Sequence, residues 1–131
     1  MAALTVARRG GEEREIRARS YVAKRSDRQL GHVRAYEGRR TALAEIQAMR
    51  VGELALVAMP GEPFAQIGVE VRRRSPFPIT MFSGYSNGEI GYVPMRSDYE
   101  NGGYGVWNSP LAPGSAEAVI QASSELLREL W

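Results

Sequence analysis

Hydrophobic and polar positions along the chain change character near residue 40. From Glu12 to about Tyr36 the apolar residues Ile16, Tyr21, Val22, Leu30 and Val33 are sparse among charges. That spacing predicts one long helix with a narrow packing stripe and a wet remainder. Gly10-Gly11 ends a leader over residues 1–11, Glu12-Glu13 place negative charge in a first helical turn, and Gly38 is the stop, so a charged helix is expected over 12–38.

After it come Leu43, Ile46 and Met49, a turn at Val51-Gly52-Glu53, and the apolar run Leu54-Ala55-Leu56-Val57-Ala58. Turn signals on both sides make that run a buried strand, with a hairpin to the stretch before it. A helix is expected from Pro63 to about Arg74, burying Phe64, Ile67, Val69 and Val71, with Arg72-Arg73-Arg74 at the favourable end of its dipole. Ser75-Pro76-Phe77-Pro78 breaks it, and Ile79-Thr80-Met81-Phe82 reads as a second buried strand. Residues 88–114, rich in glycine, proline and tyrosine, predict a long irregular segment of the kind that carries function. Ser115 is expected to cap a last helix with Val119, Ile120, Leu126, Leu127 and Leu130 on its apolar side. The expected fold is a single α/β domain over 1–131: a small sheet of about three to five strands packed with an N-terminal, a central and a C-terminal helix.

Composition changes this picture little. The 131 residues suffice for one modest core, and the absence of cysteine excludes disulfides, thiolate metal sites and cysteine nucleophiles. Most basic residues lie between Arg8 and Arg40, interleaved with Glu12, Glu13, Glu15, Asp27 and Glu37, and the net charge is only +2. That mixture, with no aromatic stacking pattern, reads as a solvated helix face, so no nucleic-acid partner is expected. No apolar run reaches membrane-spanning length, and Met1–Arg9 is too short and weakly apolar for a secretory signal. With the chain taken as complete, the expected compartment is the cytoplasm.

The chemistry is sparse. The single histidine, His32, falls inside the charged helix, and no metalloprotease, phosphate-binding, nucleophile-elbow or dinucleotide motif occurs. Two features remain. Pro60-Gly61-Glu62 follows a buried strand directly, where groups beyond strand C-termini line binding crevices in α/β sheets. Glu62 at that place has two roles open to it, a metal or acid–base carboxylate, or a favourable charge at the start of the next helix. The second feature, Ser83-Gly84-Tyr85-Ser86-Asn87 through Gly91-Tyr92-Val93, follows the next strand. Parallel strands bring it to the same sheet edge. Tyr85, Tyr92, Tyr99 and Tyr104 are spaced too irregularly for one helix or strand face and are left to fill a core or to line a pocket.

In their order and spacing, Ile46–Val57, Pro60-Gly61-Glu62, Ser83-Gly84-x-x-Asn87, Gly91-Tyr92-Val93, Arg96–Glu100 and Gly103-Tyr104 before a closing helix resemble the neutral/alkaline non-lysosomal ceramidase family. The resemblance runs from about Glu45 to Leu130 and makes residues 42–131 a ceramidase-like α/β segment. It implies a zinc cofactor held by two histidines, a glutamate and a tyrosine, and hydrolysis of the amide bond of a lipid amide. It assigns Glu62 and Tyr92 as metal ligands and Tyr104 as the catalytic tyrosine near the reacting group; Tyr85, Asn87 and Tyr99, in the same segment, are expected to bind substrate. The ligating histidines have no counterpart here, so the resemblance implies the C-terminal segment of a catalytic domain, inactive alone. A missing N-terminal portion, or a homo-oligomer, is then expected as partner. The alternative is a non-catalytic oligomeric binding or assembly module that keeps the fold.

Overall fold

The computed structural model describes residues 4–9, 12–16, 18–24, 41–86 and 88–131. The first departure from expectation is at the N-terminus. In place of a helix from Glu12, β1 (Leu4–Arg9) pairs antiparallel with β2 (Glu12–Ile16), and β3 (Ala18–Lys24) pairs antiparallel with β4 (Thr41–Val51). The residues that suggested a helix face instead align across a ladder, Arg8 with Glu13 and Arg9 with Glu12. β3 aligns with β4 residue for residue from Ala18↔Gln47 to Lys24↔Thr41, and this long-range pairing overrides a modest local helix preference. The rest of the expected helix, with His32, lies outside the described residues.

From Thr41 onward the expected strands and helices are present, except that the strand at Ile79–Ser83, expected to be buried, leaves Ile79 and Met81 more than half exposed. β4 turns through Gly52-Glu53 into β5 (Leu54–Ala58), with Val51 opposite Leu54. Gly52 has φ +61°, the positive value that a type II′ hairpin requires at its first central position. β6 (Glu62–Pro63), α1 (Ala65–Arg74) and β7 (Ile79–Ser83) follow. β7 runs parallel to β5, Leu54↔Ile79 to Ala58↔Ser83, completing a sheet of order β3-β4-β5-β7. Then come β8 (Tyr92–Val93), two one-turn helices α2 (Asp98–Asn101) and α3 (Tyr104–Trp107), and α4 (Ser115–Leu130).

Burial alternates along the two central strands. Ala44, Ile46, Ala48, Arg50, Ala55 and Val57 point to the covered side, where α1 and α4 pack. Several of these are small, which lets the helices approach closely and bury Ile67, Val71, Val119, Ile120, Leu126 and Leu127 between the layers. The all-apolar run Leu54–Ala58 is therefore buried on one side only; Leu54 and Leu56 are half-exposed on the other.

Three local expectations are corrected. Val69 does not join the core but is exposed, because Ile67 and Val71 take the inward face of α1. α1 begins at Ala65, so Glu62 belongs to a strand and not to a helical first turn. Gly114, with φ +101°, is the residue preceding α4; Ser115 is already helical, and its hydroxyl turns back to donate to the Ala112 carbonyl at 2.8 Å. Glu117 is thereby free of a capping-box role and accepts the Arg96 N–H at 3.1 Å.

Candidate functional site

Beyond the C-terminal ends of parallel strands β5 and β7, two loops are stitched together by backbone hydrogen bonds. Met59 N–H donates to Ser83 O at 3.0 Å, Ser86 N–H to Met59 O at 2.9 Å, Tyr85 N–H to Gly61 O at 2.8 Å and Gly61 N–H to Gly88 O at 3.2 Å. β6 then pairs in parallel with β8, which puts Glu62 directly opposite Tyr92. The Glu62 N–H donates to Gly91 O at 3.0 Å and the Phe64 N–H to Val93 O at 3.1 Å, so this short ladder is continuous on both sides. Two residues thirty positions apart in sequence are thus neighbours at one sheet edge.

Aromatic rings surround the pair. Tyr92 meets Phe64 edge-to-face with ring centroids 6.5 Å apart, and Tyr104 in the same manner at 5.8 Å. Gly105 makes this possible: a Cβ there would fall 2.6 Å from the Phe64 ring, so only glycine lets α3 lie this close. Tyr104 and Tyr85 are the most exposed of these rings, at 71% and 68%. Behind Tyr92, the Ser109 hydroxyl donates to the Tyr92 carbonyl at 2.7 Å, and the Tyr99 hydroxyl donates to Leu111 O at 2.7 Å while lying 3.4 Å from Ser109 Oγ. Tyr99 braces the strand that carries Tyr92, and burial pushes its phenol upward in pKa.

Glu62 is the electrostatic centre. Its carboxylate, by hydrogen bonding first, raises both Tyr85 and Tyr92 to about 12 from an ordinary 10.0; partial desolvation and the Glu62 charge act in the same direction. Because the folded form holds these protons more tightly than the unfolded chain, the associated stability is complete below pH 10 and is lost as pH rises toward 12. Two tyrosines are therefore expected to ionise late when phenolate absorbance is followed against pH, and Glu62→Ala should return both to the ordinary range. Identical titration curves for the two proteins would show that Glu62 does not govern them.

Of the residues singled out from sequence, Glu62, Tyr85, Tyr92 and Tyr104 converge, Tyr99 stands behind them, and Asn87 lies outside the described residues. Phe64, Gly105 and Ser109 carry no sequence signal for a part in the site; a two-residue strand and a one-turn helix bring them there. As oxygen donors Glu62 and Tyr92 suit a divalent cation, but catalytic zinc normally takes three protein ligands. Among the described residues no three His, Cys, Asp or Glu side chains come together to complete such a set. The pair thus fits part of a coordination sphere and not the whole of one.

A neutral ceramidase from Pseudomonas aeruginosa has a similar structure, with a TM-score of 0.63 and 26% identity over 68% of this chain and 15% of that one. A ceramidase complexed with C2 gives the same TM-score and identity, over 67% of this chain and 15% of that one. The fold is ceramidase-like. This chain spans only 15% of the length of either ceramidase. No protein-family model matches the sequence, and no curated protein sequence does. Among the described residues, no helix is long and apolar enough to cross a membrane.

Proposed function

We propose that this chain supplies the glutamate–tyrosine part of a ceramidase-like zinc amidohydrolase acting on N-acyl lipid amides. The observation that carries the reading is the in-register pairing of Glu62 with Tyr92 at the ends of β5 and β7, in a fold that matches neutral ceramidase. Zinc, when bound, would polarise the amide carbonyl and lower the pKa of its water toward ~7. Glu62 and Tyr92 would hold two of its coordination positions, with the imidazoles supplied by a missing N-terminal portion or a second copy of the chain. Tyr104, edge-on to Tyr92, stands beside the reacting group with a phenol able to hold or give a proton at Oη. The exposed rings of Tyr85 and Tyr104 meet the substrate directly, joined by Asn87 two positions after Tyr85 in sequence, and Tyr99 acts through Ser109 and the Tyr92 backbone. The likeness to ceramidases favours this reading over a purely structural assembly module.

Zinc titration of the purified chain by calorimetry, with Glu62→Ala and Tyr92→Phe alongside, tests it. Binding is expected in the native protein and a loss of tenfold or more in each variant, with unchanged helical circular dichroism. Equal binding by all three proteins overturns the reading, because Glu62 and Tyr92 would then hold no metal.

A further inference from the structure

One face of the central sheet is apolar and open to solvent. The strand register sets six side chains in two rows across three strands, Val51, Leu54 and Ile79 in one and Met49, Leu56 and Met81 in the next. They alternate with the buried Ala48, Arg50, Ala55 and Val57, so they lie on the side opposite α1 and α4. Val51, Ile79 and Met81 are 54%, 58% and 55% exposed, and Met49, Leu54 and Leu56 are half-buried. The row beyond, Gln47, Ala58 and Ser83, carries no charge either. A contiguous block of this kind differs from the single apolar residues scattered over an ordinary surface. A parallel pair such as β5–β7 is also normally covered on both faces, and α1 and α4 cover one.

We propose that this face is where two copies of the chain meet, sheet on sheet, in a two-fold dimer with α1 and α4 outermost. Three features select a second copy. Three adjoining rows without a charge let identical surfaces approach with no like-charge repulsion. Two such sheets pack about 10 Å apart with their side chains interdigitated, and the resulting four layers cover both faces of each sheet. Pairing of the β7 strands, which end the strand order, would instead lengthen the sheet and leave both apolar blocks in water. The block is small beside the ~800 Å² per partner of a standard interface, so the association is weak and depends on concentration. It sits toward the N-terminal ends of β5 and β7, whereas Glu62 and Tyr92 lie beyond their C-terminal ends, so the dimer stands apart from the zinc-site reading.

Sedimentation equilibrium of the full chain without metal, from micromolar to millimolar protein, tests this. A reversible monomer–dimer equilibrium is expected. Met81→Lys and Ile79→Lys each set a charge into the apolar contact and should weaken association at least about tenfold. Both positions are more than half exposed, so the fold tolerates the change. Val69→Lys, exposed on α1 in the opposite layer, should leave association unchanged. A monomer at every concentration overturns the proposal and leaves the face to a different polypeptide. Equally strong dimerisation of Met81→Lys and Val69→Lys also overturns it, because the interface would then lie elsewhere on the molecule.

Discussion

Replacing Arg50 by alanine is expected to destabilise the fold by about 3 kcal/mol or more, in the upper range for single substitutions. Arg50 lies in β4 with 5% of its surface exposed, and its guanidinium joins three otherwise separate parts of the chain. Nη1 donates to Leu130 O at 2.8 Å and Trp131 O at 2.7 Å, and Nε to Gly52 O at 3.0 Å. The same group lies 5.1 Å from the Phe77 ring centre and 5.5 Å from that of Trp131, two rings packed edge-to-face at 5.0 Å.

A cation is favourable at the C-terminal end of α4, and hydrogen bonds to charged donors contribute roughly 1.5–3 kcal/mol each where buried. Cation–π contacts add about 0.5–2 kcal/mol. These contributions do not sum, because burying the guanidinium costs desolvation that alanine would recover. What alanine cannot recover is the filled volume and the carbonyls left without a donor. Arg50→Lys keeps the charge but lacks the planar fork that reaches both the turn and the helix end, so an intermediate loss is expected. Urea unfolding of the native protein and both variants measures this. A loss under about 1 kcal/mol for alanine would mean that solvent or a neighbour replaces the guanidinium.

The Arg50 arrangement also shows what a linear reading misses. Its position next to a predicted turn was plain, but the carbonyls it serves lie 80 and 81 residues away. By contrast, β5, α1, β7 and α4 were legible because each has a local cause: an apolar run between turn residues, a 3.6-residue stripe, a proline stop. The parallel β5–β7 pair followed from strand–helix–strand order, and with it the meeting of the Glu62 and Tyr92 loops. The N-terminal stretch was misread because Glu, Arg and Ala tolerate helix well, whereas the strand state of residues 18–24 depends on a partner beginning at Thr41. Gly10-Gly11, taken as the end of a leader, separates β1 from β2 in sequence and is equally a hairpin signal. Periodicity could not show that Leu54–Ala58 has one wet side, since both faces of the run are apolar. Nor could it show the left-handed Tyr85, a backbone conformation that favours glycine and is held here by hydrogen bonds to a neighbouring loop.

Gly61→Ala is expected to damage the candidate site more than removal of any single aromatic ring around it. Gly61 has φ +77°, and a Cβ there would stand 2.6 Å from the Gly91 carbonyl oxygen and 2.6 Å from Ile90 Cγ1. The first is backbone and cannot rotate away. That oxygen also accepts the Glu62 N–H, and the Gly61 N–H and C=O hold Gly88 and Tyr85, so relief of the clash must pull apart the segments that align Glu62 with Tyr92. The left-handed backbone alone costs alanine about 1–2 kcal/mol, and the forced separation adds the loss of several hydrogen bonds at about 1 kcal/mol each. Met59, Ile90 and Val93 tie this turn to one end of the core, but most of the core lies between the sheet, α1 and α4, so α4 should stay helical while the site comes apart. Amide exchange of Glu62 and Phe64, compared with Leu126 and Leu127, separates the two: in Gly61→Ala the first pair should lose protection and the second keep it. Protection retained at Glu62 would mean that the β6–β8 ladder tolerates a methyl group, and the close approach of Gly61 to Gly91 would then not be what aligns Glu62 with Tyr92.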